Sequence, residues 1–219
     1  MRAMFDDIVE RYDLLNGLLS LGLDRVWRRA AARAAGVAAG ARVLDLGCGT
    51  GEMGETVADR ARVTGVDVSP RMLAVARGRL DGRVCLVQGS AFRLPFRDDA
   101  FDGAVSGFVL RNLDDLPAAF GELARVLRPG ARAALVDITE PPQALVRRAF
   151  DAYFGTVAPA LGGLFGKRDA YRYLVGSLGQ LPPPMQVCTM LRRAGFRTAT
   201  ARSLTGGMVT LFVAAREPS

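Results

Sequence analysis

The fold is decided by one stretch, Arg42-Val43-Leu44-Asp45-Leu46-Gly47-Cys48-Gly49-Thr50-Gly51. Its first five residues are mostly apolar and predict a buried strand, which runs into a tight turn of alternating glycines. Glycine lets the backbone approach a bound ligand closely, and a helix is expected to begin near Glu52. The stretch therefore predicts a strand, a ligand-binding turn and a helix.

Further strands and helices alternate on the C-terminal side of this turn. The helix after the fourth strand is closed by Arg128-Pro129-Gly130, because proline and glycine after a last turn are stop signals. Continuous apolar strands that alternate with helices favour a parallel sheet covered on both faces. The predicted strands are Val63–Val68, Val84–Gln88, Phe101–Ser106 and Ala133–Ile138, and the clearest helices are Pro70–Leu80 and Leu116–Leu127.

The end of the chain has a different pattern. Arg197–Leu204 and Met208–Arg216 are strand-like, and Thr205-Gly206-Gly207 between them predicts a hairpin. A parallel sheet finished by an antiparallel pair is the architecture of the class I methyltransferases. We therefore expect an α/β, Rossmann-like fold of the class I S-adenosylmethionine-dependent methyltransferases, with a mostly parallel seven-stranded sheet.

Two segments lie outside the alternating core within a single domain, residues 1–219. Residues 4–35 are helical in period, and residues 141–182 are rich in aromatics and precede a C-terminal helix and hairpin at 184–216. The second segment follows the fifth strand, so it lies above the carboxyl ends of the strands, where α/β sheets bind ligands. We interpret both segments as a helical lid over the 41–139 cofactor-binding core. The alternative is additional helices that cover the core.

The glycine turn by itself has two interpretations. Gly49, Gly51 and Gly54 also match the G-x-G-x-x-G pattern of dinucleotide-binding proteins. Asp45, just ahead of the glycines, would repel a pyrophosphate but would pair with the α-amino group of a methionine moiety. Asp67, 22 residues later, ends the second strand, where an acid accepts ribose hydroxyls.

The loop after the third strand favours S-adenosylmethionine over a dinucleotide. Gln88-Gly89-Ser90-Ala91-Phe92-Arg93-Leu94-Pro95-Phe96 changes from polar to apolar, which suits the edge and face of an adenine. The closing hairpin does not belong to the dinucleotide fold. Met72 either packs against the adenine or is plain core. We expect the cofactor S-adenosyl-L-methionine to be bound by Asp45, Gly47, Gly49, Thr50, Gly51, Asp67, Val68, Met72, Ser90, Ala91, Phe92, Gly107 and Asn112.

Composition limits the remaining function classes. The chain has no histidine, which excludes histidine triads and histidine–metal sites. Three widely spaced cysteines are typical of reduced thiols in a cytoplasm and lack metal-ligand spacing, so we expect no metal. The net charge of +7 comes without clusters that alternate basic and aromatic residues, so we expect no nucleic-acid partner. The positive charge would instead favour peripheral contact with an anionic membrane, and a homodimer is compatible with the sequence.

Several motifs resemble the ubiquinone/menaquinone biosynthesis C-methyltransferases over almost the whole chain. Besides the glycine turn they are Arg11-Tyr12-Asp13-Leu14-Leu15-Asn16, Ser20-Leu21-Gly22-Leu23-Asp24, Trp27-Arg28, Leu94-Pro95-Phe96 with Phe101-Asp102, Leu110-Arg111-Asn112, Tyr171-Arg172-Tyr173-Leu174 and Ala194-Gly195-Phe196. The resemblance implies methylation of a ring carbon of a polyprenylated quinol such as demethylmenaquinol.

The chemistry of ring methylation points to a cation near the acceptor. An aromatic carbon becomes a good nucleophile when an ortho or para hydroxyl loses its proton, and a fixed cation stabilises the resulting charge. Arg111, expected at the mouth of the site, is the candidate, and it would orient a water or stabilise the phenolate because arginine is a poor base. Tyr12, Tyr153 and Tyr173 are candidates for contacts with the quinol hydroxyls.

Alternatives to this function remain. The family usually has Ser-Phe-Gly where this chain has Gly107-Phe108-Val109, and Glu-Phe-Ser or similar where it has Asp137-Ile138-Thr139-Glu140. Such differences are compatible with a methyltransferase that acts on another phenolic or polyketide acceptor. A non-catalytic cofactor-binding module is the alternative from a different class.

Overall fold

The stretch that begins at Arg42 forms an interior strand of the sheet. Val43, Leu44 and Leu46 are completely buried, because this strand, β1 (Arg42–Leu46), is covered on both faces as its continuous apolar run predicts. The computed structural model describes residue 17, residues 20–157 and residues 179–218.

The remaining elements follow in the alternating order that the sequence predicts. After helix α1 (Asp24–Ala35) and β1 come α2 (Glu52–Ala58), β2 (Arg62–Asp67), α3 (Pro70–Leu80), β3 (Val84–Gln88), β4 (Phe101–Gly107), a short 3-10 turn (Leu110–Asn112), α4 (Leu116–Val126), β5 (Leu127–Ile138), α5 (Ala144–Ala152), a π-helical turn (Tyr153–Val157), α6 (Pro184–Arg193), β6 (Phe196–Leu204), a second 3-10 turn (Thr205–Gly207) and β7 (Val209–Arg216).

The strands form one seven-stranded sheet in the order β3-β2-β1-β4-β5-β7-β6. Strands β1 to β5 pair in parallel, whereas β7 pairs antiparallel with both β5 and β6. The predicted parallel sheet with a closing antiparallel hairpin is thereby confirmed. The chain leaves β1 toward β2 and returns on its other side with β4, and such a reversal of strand order opens a crevice at the carboxyl ends of the strands.

Strand β5 begins earlier than predicted. Helix α4 ends at Val126, as the stop signal predicts, but Leu127 already pairs with Phe101. The next pair joins Arg132 to Gly103, so the segment 128–131 bulges out of the ladder. A bulge tolerates proline, which has no amide hydrogen to donate to a neighbouring strand.

Helix α1 covers one face of the sheet. Ala31 and Ala35 are buried there in a cluster with Val43 and Val105, so this part of the 4–35 segment belongs to the core. Of the other predicted lid segment, 141–182, the described residues are 141–157 and 179–182. No helix in the described part of the chain is long and apolar enough to cross a membrane.

Candidate active site

A cavity of about 330 Å³ runs along the carboxyl ends of β4, β1, β2 and β3. This is the crevice where the strand order predicts a ligand. Its wall contains eleven of the thirteen residues predicted to bind the cofactor, namely Gly47, Gly49, Thr50, Asp67, Val68, Met72, Ser90, Ala91, Phe92, Gly107 and Asn112.

The glycine turn after β1 needs its glycines for two different reasons. Gly47 has a φ of +65°, and a Cβ there would lie 2.4 Å from Cγ2 of Val109. Gly51, with a φ of +90°, does not line the cavity, because it faces α3, where a Cβ would lie 2.6 Å from Cδ1 of Leu80. Beside Gly49 the space is open. Gly47 and Gly51 therefore allow the turn to pack, and Gly49 leaves room at the cavity.

Asp67, at the end of β2, ties the turn to the next loop. The Gly49 amide donates to its Oδ2 and the Ser69 amide to its Oδ1, both at 2.9 Å. Ser69 then caps α3, its hydroxyl accepting from the Met72 amide at 3.1 Å. A carboxylate held in this way at the cavity wall is suited to accept hydrogen bonds from the hydroxyls of a ribose.

The loop that carries residues 90–92 is anchored from behind by α4. The Leu94 amide donates to Oε2 of Glu122 at 2.7 Å, and Arg125 donates to the carbonyls of Leu94 and Phe96. The hydrogen bonds between Arg125 and Glu122 hold the pKa of that carboxyl below its usual range. Leu94-Pro95-Phe96 therefore fixes the end of the cavity that the sequence assigns to adenine.

The opposite end of the cavity is formed largely by Arg28, Glu52 and Phe108, for which the sequence analysis predicts no contact with the cofactor. Nη2 of Arg28, on α1, donates to Oε2 of Glu52 at 2.7 Å, and its Cζ lies 4.9 Å from the ring centroid of Phe108. Nη1 of Arg28 lies 2.9 Å from where a Cβ of Gly107 would be, so glycine leaves room for the guanidinium. The sequence offers no local signal for this contact, because α1 and the glycine turn meet only in the folded sheet.

Asp45 does not reach the cavity wall. Its side chain is completely buried, and neither carboxylate oxygen has a hydrogen-bond partner within the described residues. Burial raises the pKa of this carboxyl from 3.8 to about 7, although the nearby Arg28 charge and the Gly54 amide lower it. The sequence predicts direct pairing with a ligand amino group, but strand alternation at the end of β1 turns this side chain inward.

The sequence predicts Arg111 at the mouth of the cavity, but the structure buries it. Its Nη1 lies 2.5 Å from Oδ1 of Asp137 and 3.2 Å from the carbonyl of Phe108. The ion pair draws the guanidinium toward the end of β5, away from the residues that line the cavity. Its neighbour Asn112 does line the cavity and donates to the same Phe108 carbonyl at 3.4 Å.

The structure describes one of the three candidate tyrosines. Tyr153 is half-buried at the start of the π-helical turn, where burial raises the pKa of its hydroxyl, and it does not line the cavity. Tyr12 and Tyr173 lie outside the described residues. Their contacts with an acceptor remain predictions.

A family model described as the ubiE/COQ5 methyltransferase family matches residues 1–216. The chain belongs to this family. It is 43% identical to a demethylmenaquinone methyltransferase of Clavibacter sepedonicus, covering 95% of this chain and 87% of that one. It is 40% identical to a ubiquinone/menaquinone biosynthesis C-methyltransferase of Syntrophotalea carbinolica, over 98% and 93% of the two chains. Among solved structures it resembles a SAM-dependent methyltransferase of Aquifex aeolicus, with 17% identity, a TM-score of 0.66 and coverage of 93% and 97%.

The prediction of an S-adenosylmethionine-dependent methyltransferase is therefore confirmed. The cavity fits this cofactor, because its two ends differ in the same way as the two ends of the ligand. Arg28 and Glu52 bring charge to one end, and Ala91 and Phe92 offer apolar contact at the other. Asp67 lies between them, and its carboxylate suits the ribose that joins the two parts of the molecule.

Proposed function

We propose that this enzyme of the ubiE/COQ5 family methylates a ring carbon of a demethylated prenyl quinol such as demethylmenaquinol. The observation that carries the proposal is the similarity of at least 40% identity, over at least 95% of the chain, to relatives named for ubiquinone/menaquinone biosynthesis and for demethylmenaquinone. The same similarity extends through the segments that the sequence assigns to the acceptor.

The part of the cavity wall that follows β4 is largely apolar and suits an acceptor ring. Phe108, Val109 and Leu113 line this side, with Asn112 and Asp114 as polar groups. A hydrophobic wall with a few polar groups suits an aromatic ring that carries hydroxyls. Of the predicted lid segments 4–35 and 141–182, the part of the first that precedes α1 and the whole of the second are proposed to close over this ring and its prenyl tail.

Bound S-adenosylmethionine supplies an electrophilic sulfonium methyl group, so the protein has to align the ring carbon with it and exclude water. Loss of a ring hydroxyl proton to a water molecule raises the nucleophilicity of the carbon and leaves negative charge on the oxygen. After methyl transfer, the ring carbon gives up its own hydrogen as a proton, which restores the aromatic ring. Because Arg111 is turned toward Asp137 and does not line the cavity, we assign to it an indirect role, in which it holds the turn that places Phe108 and Asn112 at the cavity wall. Asp137 and the Phe108 carbonyl hold its guanidinium in one orientation.

A quinol with a polyprenyl tail is delivered from a membrane, so we place the enzyme in the cytoplasm with peripheral membrane contact. The net charge of +7 supports contact with anionic lipids. Co-sedimentation with anionic vesicles, and its loss at high salt, would test this part of the proposal. Sedimentation velocity would distinguish a monomer from a homodimer.

The reaction is tested by incubating the enzyme with methyl-labelled S-adenosylmethionine and a short-chain demethylmenaquinol. The expected product carries the label on a ring carbon, which fragmentation in mass spectrometry distinguishes from an O-methyl ether. A matched acceptor whose ring position already carries a methyl group should give no product.

Two outcomes would overturn the proposed acceptor. One is an O-methylated product only. The other is turnover of a different phenolic or polyketide acceptor when no quinol reacts. Absence of turnover with any acceptor is a separate result, which would support a cofactor-binding module.

A further inference from the structure

One end of the cavity has a buried cation that the reaction on the acceptor ring does not require. Arg28 is only 6% exposed, and an arginine buried to this extent needs partners for its charge. It lines the cavity together with Glu52, Gly107 and Phe108. A buried guanidinium at a ligand cavity suggests recognition of an anion.

The guanidinium is held from three sides. Nη2 donates to Glu52 at 2.7 Å, and Nε lies 3.7 Å from Oδ2 of Asp24. The Phe108 ring stacks under the cation with its centroid 4.9 Å from Cζ. Phe108 adopts a positive φ of 63°, an uncommon conformation for a residue with a side chain. These contacts leave the Nη1 edge directed along Gly107, where the cavity ends.

Helix α1 that carries Arg28 is fixed to the far end of the sheet. Nε1 of the neighbouring Trp27 donates to Oγ1 of Thr205, in the turn between β6 and β7, at 2.8 Å. The Trp27 ring packs against Phe108, with 6.1 Å between the centroids. The position of Arg28 is therefore set by packing before any ligand binds.

We propose that Arg28 binds the α-carboxylate of the methionine moiety of S-adenosylmethionine, with Glu52 as the residue that orients its guanidinium. If the adenine lies at residues 90–92 and the ribose at Asp67, the amino-acid part of the cofactor extends along the glycine turn to Arg28. Guanidinium and carboxylate match in charge and in planar geometry, so a two-point hydrogen bond can form. This proposal rests on the binding of S-adenosylmethionine by the enzyme and does not depend on which acceptor is methylated.

The test compares two ligands that differ in the amino-acid part. S-adenosylhomocysteine has it, whereas 5′-methylthioadenosine has the same adenosine and thioether without it. Isothermal titration calorimetry of Arg28→Met should show an affinity for S-adenosylhomocysteine at least about tenfold weaker than in the unmodified protein. The affinity for 5′-methylthioadenosine should change less than about twofold.

A third ligand separates the carboxylate from the ammonium group. The decarboxylated analogue of S-adenosylhomocysteine keeps the amine, so Arg28→Met should bind it about as well as the unmodified protein does. Arg29→Met is the matched control, because Arg29 is exposed on the same helix and should leave all three affinities unchanged. Arg28→Lys keeps a cation beside Glu52 and should give an intermediate loss if Arg28→Met folds poorly.

Equal losses for all three ligands would show that Arg28 supports the fold of the cavity and would overturn the proposal. Unchanged affinities combined with a raised KM for the quinol would also overturn it, by assigning Arg28 to the acceptor. Because no acceptor is present in the titrations, failure of the proposed quinol substrate would leave this result unaffected.

Discussion

Arg111 and Asp137 form an ion pair with 2.5 Å between Nη1 and Oδ1, and their side chains are 2% and 0% exposed. The Arg111 amide also donates to Oδ2 of Asp137 at 3.1 Å, so the carboxylate holds this residue at two points. A buried pair contributes little net stability, because desolvation offsets the attraction between the charges. What the pair fixes is the direction of the guanidinium.

Asp137→Ala should therefore affect both stability and turnover. It removes the charge of Asp137 from beside the buried Arg111, and such a loss costs about 3–5 kcal/mol of unfolding free energy. Urea denaturation measures that loss, and the turnover with a demethylated quinol should fall with it. The double variant Arg111→Met/Asp137→Leu should recover most of the stability but not the turnover. If Asp137→Ala changes the stability by less than about 1 kcal/mol, the pair does not position Arg111.

Gly47→Ala should disturb the turn through a single contact. The new Cβ would lie 2.4 Å from Cγ2 of Val109, at a φ of +65° that disfavours any side chain. We expect a loss of about 2–4 kcal/mol, from overpacking and from backbone strain, measured by urea denaturation. Adding Val109→Gly removes the clash and should restore about half of the loss, with Val109→Gly alone as the control. No recovery in the double variant would place the whole cost in the backbone.

Asp67→Asn should weaken cofactor binding by about 30-fold, which corresponds to about 2 kcal/mol. Both carboxylate oxygens accept from backbone amides, of Gly49 and Ser69, so an amide nitrogen at either place would face another donor. Calorimetric titration with S-adenosylhomocysteine measures the change. Asp59→Asn is the control, since its carboxylate is 85% exposed on the surface. A loss below about threefold would mean that Asp67 does not contact the cofactor.

Features set by short spacing along the chain could be predicted from the sequence. The glycine turn, Asp67 and residues 90–92 each follow a buried strand directly, so the parallel sheet brings them to one edge. The position of Arg28 depends on α1 packing across the sheet, and that of Arg111 on a partner 26 residues away. Contacts between residues so far apart in the chain leave no periodic pattern in the sequence.

Asp45 shows a different limit of prediction. An acid next to a glycine turn suggests a ligand contact, yet the structure buries it without a hydrogen-bond partner among the described residues. Burial raises its pKa to about 7, with the charge of Asp67 adding to the rise and that of Arg28 opposing it. The carboxyl is therefore a group whose ionisation opposes folding.

The pH dependence of stability follows from this shift. Because the pKa of the folded protein lies above the ordinary value of 3.8, the folded state holds a proton on Asp45 between about pH 4 and pH 7 that the unfolded state has lost. The contribution of Asp45 to stability therefore falls as the pH rises through this range. Above about pH 7 its cost reaches the order of 4 kcal/mol.

Asp45→Asn removes this titration and nearly keeps the shape of the side chain. The variant should be more stable than the unmodified protein at about pH 8, and the difference should shrink toward pH 4, where both side chains are neutral. Urea denaturation of the two proteins across this range measures it, and taking the difference cancels the carboxylates that they share. A difference that does not vary with pH would mean that Asp45 ionises in its ordinary range, and that its charge is compensated in the folded protein.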